Sequence, residues 1–321
     1  MAPLTTSRTW SPEVFAAAVG DAVWAPSIHN SQPWRFRCTA DGADVLLDER
    51  RRLAVCDPDG RMARISCGAA AYNLRLALAV GGLPARHRQE SGSTLLHMWP
   101  GPQRPPTPLE RRLHRQIPRR HTNRGPFADS PVDTRAPLVL AEAARREGGQ
   151  LDFVTGEPAL AALTALIRTA EARQLADPAY AEELRAWTTD ADHRVEGIGP
   201  CAAGAAPHPA EALTRRDFGG AGHDTTRDVS HQPVVAVLAV LGDGPADAVR
   251  AGMALQCVLL TAADLGLATA MFSQPVEVPA IRERLRCVVN PIQDPQLVLR
   301  FGYAPTTCYT NRRPVADVLE A

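Results

Sequence analysis

The chain has 321 residues, 45% of them hydrophobic and 22% charged, which is the make-up of a folded protein with one large or two ordinary domains. Its 35 basic and 35 acidic residues cancel, so no net field draws it to nucleic acid or to an anionic membrane, and neither is expected as a partner. Every basic residue is arginine, and without a lysine neither Schiff-base chemistry nor a phosphate-binding P-loop is available.

Ser11 reads as a helix N-cap, with Pro12 in the first turn and Glu13 near the positive helix end. Val14, Ala18, Ala22 and Val23 then form an apolar stripe that Pro26 ends. Trp34–Cys38 and Val45–Asp48 read as short strands about a turn at Asp41–Gly42. The spacing predicts a helix over Met62–Val80, with Ile65, Ala69, Tyr72, Leu76 and Ala79 on one face and Gly81–Gly82 as its stop. Thr94–Trp99 reads as a strand, and the proline-rich Gly101–Pro108 as a linker.

Glu142–Arg146 and Pro158–Arg173 read as helical, and Ala181–Trp187 continues as helix. His193–His231, rich in Gly, Ala, Pro and His, has no sustained period, and a loop of this length in a compact protein is either disordered or a lid. The plan then repeats. Val249–Leu267 follows the pattern of the earlier helix at a constant step of 184 residues, Gly68 matching Gly252, Leu76 matching Leu260, and Gly82–Leu83 matching Gly266–Leu267. Leu297–Leu299 lies in strand-like surroundings.

Met1–Trp10 has no apolar core of a secretory signal, and Val234–Leu241 is too short to cross a bilayer, so a cytoplasmic protein is expected. The seven cysteines (Cys38, Cys56, Cys67, Cys201, Cys257, Cys287 and Cys308) show no C-x-x-C spacing and read as reduced, mostly buried thiols. No metal site is expected, since the nine histidines show no ligand spacing. Neither a dinucleotide-binding G-x-G-x-x-G nor a nucleophile elbow is present.

Two segments carry chemistry. Arg119–Phe127, RRHTNRGPF, groups Arg119, Arg120 and Arg124 around Thr122 and Asn123. Guanidinium groups bind phosphate oxygens bidentately and hydroxyls complete the cradle, although a solvated basic turn would carry the same charge. Ala25–Trp34, APSIHNSQPW, places Ser27, Asn30 and Gln32 in a polar loop. Pro33 is expected to hold Gln32 extended, which would give its amide a defined direction. Such amides suit the O2, N3 and O4 edge of an isoalloxazine ring, and they equally suit plain capping of a helix-to-strand turn. His29 is a candidate proton donor, against the alternative of a packing histidine.

Together APSxxNxQPW and RRxxxR resemble the FMN-binding signatures of the nitroreductase superfamily, along most of the chain. In ordinary members two copies of a chain carrying both motifs share two flavins at their interface. Here the first half holds only the loop and the second half only the arginines, which resembles the Acg-like subgroup, a duplicated pseudo-dimer with one site. The resemblance implies an α+β three-layer fold of two tandem modules, 1–105 with the flavin loop and 106–321 with the phosphate motif and the lid candidate 193–231, and a monomer. It further implies that Arg120, His121, Thr122 and Arg124 hold the phosphate and ribityl chain, while Pro26, Ser27, Ile28, Asn30 and Gln32 lie along the flavin. Met271, Phe272, Ser273 and Gln274 fall where the family places backbone donors near the flavin N5, though typical members carry an acidic residue and glycine there. Asn311–Pro314 resembles the family's closing motif, with Arg312 preferred over Arg313 as the arginine that reaches the phosphate. The function implied is an FMN-dependent oxidoreductase, fed by NADPH or NADH or oxidising a dedicated small molecule. The alternative is an FMN-sequestering protein with little turnover.

Overall fold

The computed structural model describes residues 10–188, 194–204, 213, 215–219, 233–305 and 309–320. Helix α1 (Pro12–Ala22) starts where the Ser11 hydroxyl accepts the Val14 N–H. Strands β1 (Trp34–Thr39) and β2 (Gly42–Leu47) form an antiparallel hairpin that pairs Thr39 with Gly42 and Trp34 with Leu47. The Asp57 carboxylate then accepts the Met62 and Ala63 N–H groups and so starts α2 (Arg61–Val80). β3 (Ala85–Gln89) and β4 (Thr94–Pro100) follow as a second hairpin.

The proline-rich stretch expected as a linker ends in a capping box, Thr107 with Glu110, that opens α3 (Pro108–Gln116). Next come α4 (Ala136–Arg145), β5 (Gly149–Val154) and α5 (Glu157–Leu175). Ala181–Trp187 is helical, as expected, within a helix of its own: Asp177 caps Ala179 N–H and Pro178 opens α6 (Pro178–Trp187). The second half holds α7 (Pro200–Ala203), β6 (Val234–Val240), α8 (Pro245–Asp264), β7 (Ala268–Phe272), α9 (Gln274–Glu277), α10 (Pro279–Val289) and β8 (Asp294–Gly302). The C-terminal end adds α11 (Val315–Val318) and β9 (Leu319–Glu320).

The architecture is a mixed α+β sandwich. One sheet has the order β3-β4-β2-β1-β9 and the other β5-β6-β8-β7. α2 packs on the strands of the first sheet and α8 on those of the second, and the two helices pack on each other. A Cβ on Gly68 would strike the Val249 carbonyl, and one on Gly252 the Ile65 carbonyl. As the number rises from 65 to 68 on α2 its partner falls from 252 to 249, so the helices run antiparallel with a reciprocal contact. β9 pairs in parallel with β1, Phe36 opposite Leu319, so the last strand of segment 106–321 completes the sheet of segment 1–105.

α8 is long and apolar enough to cross a membrane, unlike Val234–Leu241, but 78% of that stretch is buried against protein, as in a core helix. Five cysteines are free (Cys38, Cys56, Cys67, Cys257 and Cys287), while Cys201 is disulfide-bonded, which corrects the expectation that all are reduced. Cys67 is fully buried, its thiol against the Pro33 carbonyl at 3.5 Å and pushed far up by burial. Cys308 lies outside the described residues.

Candidate functional site

The loop after α1 is built under strain. His29 (φ 46°), Asn30 (φ 54°) and Gln32 (φ 50°) are the non-glycine residues with positive φ among the described residues, and all fall within four positions. Such conformations cost about 1–3 kcal/mol each and persist where surrounding bonds over-determine them. Those bonds are present. Ile28 N–H donates to the Ser66 hydroxyl on α2 at 3.3 Å, and Gln32 N–H donates to the Ser27 hydroxyl at 3.0 Å.

Gln32 departs from expectation. Its backbone is left-handed rather than extended, and its amide does not enter a cavity. Nε2 donates to the Val195 carbonyl at 2.6 Å, while Oε1 accepts the Arg313 N–H at 2.8 Å. Long-range bonds at both ends override the local preference set by Pro33. Gln32 is fully buried as a tie between three segments.

The arginine segment reaches the same place from the other side. Thr122 bridges Thr269 on β7, and Asn123 N–H donates to the Thr269 carbonyl at 2.8 Å. This pairing sets Thr122, Asn123 and Arg124 beside Met271, Phe272, Ser273 and Gln274, which all line one cavity. Pro26, Ser27, Ile28 and His29 line it from the first half, over a floor of Met62, Ile65 and Ser66 from α2 and Leu255 from α8. It has a cavity volume of about 100 Å³ within about 780 Å³ of space that opens partly to solvent, and is mostly apolar. The buried Gln274 Nε2 has no partner there.

A smaller adjoining recess of about 430 Å³ shares Pro26, Ser27, Thr122 and Arg124 with the cavity and adds Asn30, Arg120, His121 and Arg312. Among the described residues, no carboxylate pairs with Arg120, Arg124 or Arg312. Arg120 Nη2 reaches only the Trp24 carbonyl at 3.4 Å, and its Nε and Nη1 are buried without partners. Arg124 donates to the Ala202 carbonyl at 3.1 Å. Arg312 donates to Asn30 Oδ1 at 3.1 Å and to the Thr310 hydroxyl at 2.6 Å, with its guanidinium over the Trp24 ring. Arg313 instead turns to the Asp317 carbonyl at 2.6 Å.

Burial, then the neighbouring Arg124, lowers Arg120 from 12.5 to about 10. Burial, then Arg216, does the same for Arg124. Arg312 falls to about 9, through burial and then Arg120 and Arg124. Burial with Arg120 and Arg312 also takes His121, edge-on to Tyr309, down to about 4. Three guanidiniums that repel one another, Arg120 buried and Arg124 and Arg312 half-buried, have the chemistry to suit a compact anion of high charge. Beside it lies an apolar slot, and a ligand spanning both would join a phosphate to a flat ring. Among the described residues no cluster of metal-ligating side chains occurs.

Several cavity residues were not singled out in the sequence. Arg215, Arg216 and Phe218 come from the 193–231 stretch, and Asn30 Nδ2 and Gln32 Nε2 donate to the Gly197 and Val195 carbonyls of the same stretch. Arg215 also bonds the Arg124 carbonyl. The described parts therefore lie against the site, while 193, 205–212, 214 and 220–231 of the lid candidate are outside the described residues. Glu277 on α9 pairs with Arg216 at 2.6 Å. Its burial would raise the carboxyl, but Arg216, a hydrogen bond with Ser273 and the nearby His29 together outweigh this and hold it at about 2.

The chain is 32% identical over 310 residues to a Mycobacterium tuberculosis H37Rv protein named "Putative NAD(P)H nitroreductase Rv3131", covering 93% of this chain and 89% of the relative. It is 30% identical over 327 residues to "Putative NAD(P)H nitroreductase acg" of the same strain, covering 95% of each. Among solved structures it is similar to a nitroreductase with bound FMN from Desulfitobacterium hafniense DCB-2, at 15% identity and a TM-score of 0.41, over 65% of this chain and 97% of that one. The FMN and NADPH-dependent nitroreductase NfnB of Sphigopyxis sp. strain HMH gives 19% and 0.41, over 65% and 98%. No protein-family model matches the chain.

Proposed function

The chain belongs to the nitroreductase superfamily, and from that premise we propose that it is an oxidoreductase working through a single FMN. The observation that carries this reading is the group of Arg120, Arg124 and Arg312, without a carboxylate partner among the described residues, in a recess adjoining an apolar cavity. The FMN phosphate is a compact dianion that such a cluster would hold bidentately. Asn30, His121 and Thr122 would line the ribityl chain, and Pro26, Ser27 and Ile28 one side of the ring. Met271–Gln274 would follow the ring edge, where the unpartnered Gln274 amide offers a donor. Bound there, FMN would supply hydride transfer at its N5 between NADPH or NADH and a small organic substrate.

The protein's own part is to bind, orient and tune. Cations near a ring that gains negative charge on reduction favour the reduced state. Because the loop comes from segment 1–105 and the arginines from 106–321, one chain supplies both halves of the site, and a monomer follows. Arg216 and Phe218 lining the cavity favour a second reading, in which FMN is held under a strap with little turnover.

Anaerobic mixing of the flavin-loaded protein with NADPH and NADH, watching the visible flavin band, separates the two. Fast bleaching with either establishes the oxidoreductase. Resistance to both favours sequestration, and a protein that takes up no FMN overturns the reading.

A further inference from the structure

His29 is held in a way that fixes which ring nitrogen carries the proton. Its Nε2 lies 2.8 Å from Arg216 Nη1, and a guanidinium can only donate, so Nε2 must be the lone-pair nitrogen. The proton of the neutral ring therefore sits on Nδ1. That atom is buried without a partner, in a side chain that lines the cavity and is 4% exposed.

Arg216 is itself fixed from behind. Its Nη2 pairs with Glu277 Oε2 at 2.6 Å, the same oxygen accepts Gln174 Nε2 at 2.6 Å, and the guanidinium stands over the Tyr180 ring. Phe218 meets the imidazole edge-on at 5.7 Å. The charges around the ring are Arg216 from the 215–219 strip, Glu277 from α9 and Arg124 from the arginine segment. Burial first, and then Arg216, hold the imidazole at about 3, so it stays neutral and gives up no proton at ordinary pH.

We propose that His29 Nδ1–H is the hydrogen-bond donor to the acceptor oxygen of the substrate, a quinone carbonyl or a nitro group, with Arg216 and Glu277 as the positioning residues that set its tautomer. This rests on the oxidoreductase reading above. A quinone that takes a hydride from the reduced flavin and a proton from water becomes a hydroquinone, and His29 keeps its own proton throughout. A neutral imidazole N–H stabilises the charge that gathers on oxygen without a protonation step. The left-handed φ of 46° points the same way, since a strained backbone held by many bonds marks a ring whose direction matters.

The test has two arms. In ¹⁵N-histidine-labelled, flavin-free protein, long-range ¹⁵N–¹H correlation spectra, assigned with His29→Asn, are expected to show an Nδ1–H ring that does not titrate between pH 5 and 8. Glu277→Gln and Arg216→Met are expected to lose that fixed tautomer. An Nε2–H ring, or one titrating near 6.5, overturns the proposal. In flavin-loaded protein, reoxidation by 1,4-naphthoquinone after NADPH reduction is expected to slow by about 10²-fold in His29→Ala. His29→Asn, which tolerates left-handed backbone and keeps an N–H, should restore the rate. Reoxidation of His29→Ala at the unmodified rate overturns the proposal and leaves the oxidoreductase standing. Failure to load FMN overturns the oxidoreductase reading and the substrate role with it, while the tautomer is still read.

Discussion

Gly68 on α2 and Gly252 on α8 face each other so closely that a Cβ built on Gly68 would come within 3.1 Å of the Gly252 Cα. Each also lies against the other helix's carbonyl, of Val249 and of Ile65. The contact lies between the two helices that floor the cavity, which Met62, Ile65 and Ser66 enter from one and Leu255 from the other. Gly68→Ala or Gly252→Ala must push backbone from backbone, since no flexible side chain can yield. Each is expected to lower unfolding free energy by about 3 kcal/mol or more and to reduce flavin retention. Because both substitutions separate the same pair of helices, the double variant should cost less than the sum. Urea titrations of the four proteins measure this, and strict additivity would mean that the helices do not move as one.

Arg120 should act with opposite signs on the flavin-free and flavin-bound protein. Its guanidinium is buried with Nε and Nη1 unpartnered beside Arg124, and holding the charge there costs about 3 kcal/mol given a value near 10 against 12.5. Arg120→Met removes this cost, so the flavin-free variant should unfold at higher urea than the unmodified protein. Its affinity for FMN should fall by about 10²-fold, the loss of one charged partner of a phosphate. Urea midpoints with and without saturating FMN give both signs. A variant that retains FMN at full affinity would move the phosphate elsewhere.

The sequence displays what local rules decide. Ser11 with Pro12, the apolar face from Ile65 to Ala79, and the two loop motifs are legible because capping and periodicity act over a few residues. β3 is not, since ARHRQ is a largely exposed edge strand without an apolar alternation whose one strand partner is β4. α3 buries only Leu113, so its prolines and charges read as linker, although Thr107 with Glu110 was a usable signal. Within the site, Arg216 and Glu277 meet across 61 positions, a pairing that no spacing rule encodes. Gln32 reads as a ligand because its chemistry suits a flavin edge. Its use as an internal tie depends on Val195 and Arg313, which only the folded chain brings near.

Asp57 gives a pH dependence with a definite sign. Burial lifts its carboxyl from 3.8 to about 6, against the pull of the Met62 and Ala63 N–H groups that it caps. An acid raised in the folded state contributes stability fully present below about pH 4 and lost as pH passes 6, worth about 3 kcal/mol. Glu110 and Glu277, held at about 2, slope the other way, so the difference from Asp57→Asn isolates the term. The unmodified protein minus Asp57→Asn should lose stability between pH 4 and 6 and run level from pH 7 to 8. A difference flat across the whole range would place the carboxyl at its ordinary value.

Gln32→Ala distinguishes a tie from a flavin contact. Truncation leaves the Arg313 N–H without its partner in a buried place, at about 1–3 kcal/mol, while the Val195 carbonyl, on an exposed residue, can turn to water. The flavin-free variant should therefore be destabilised by about 1–3 kcal/mol in urea. Neither end of the amide lines the cavity, so the visible spectrum and reduction potential of bound FMN should stay as they are. A shifted potential with unchanged stability would instead put the amide on the ring edge. The two outcomes separate cleanly because stability is read without the flavin and potential only with it.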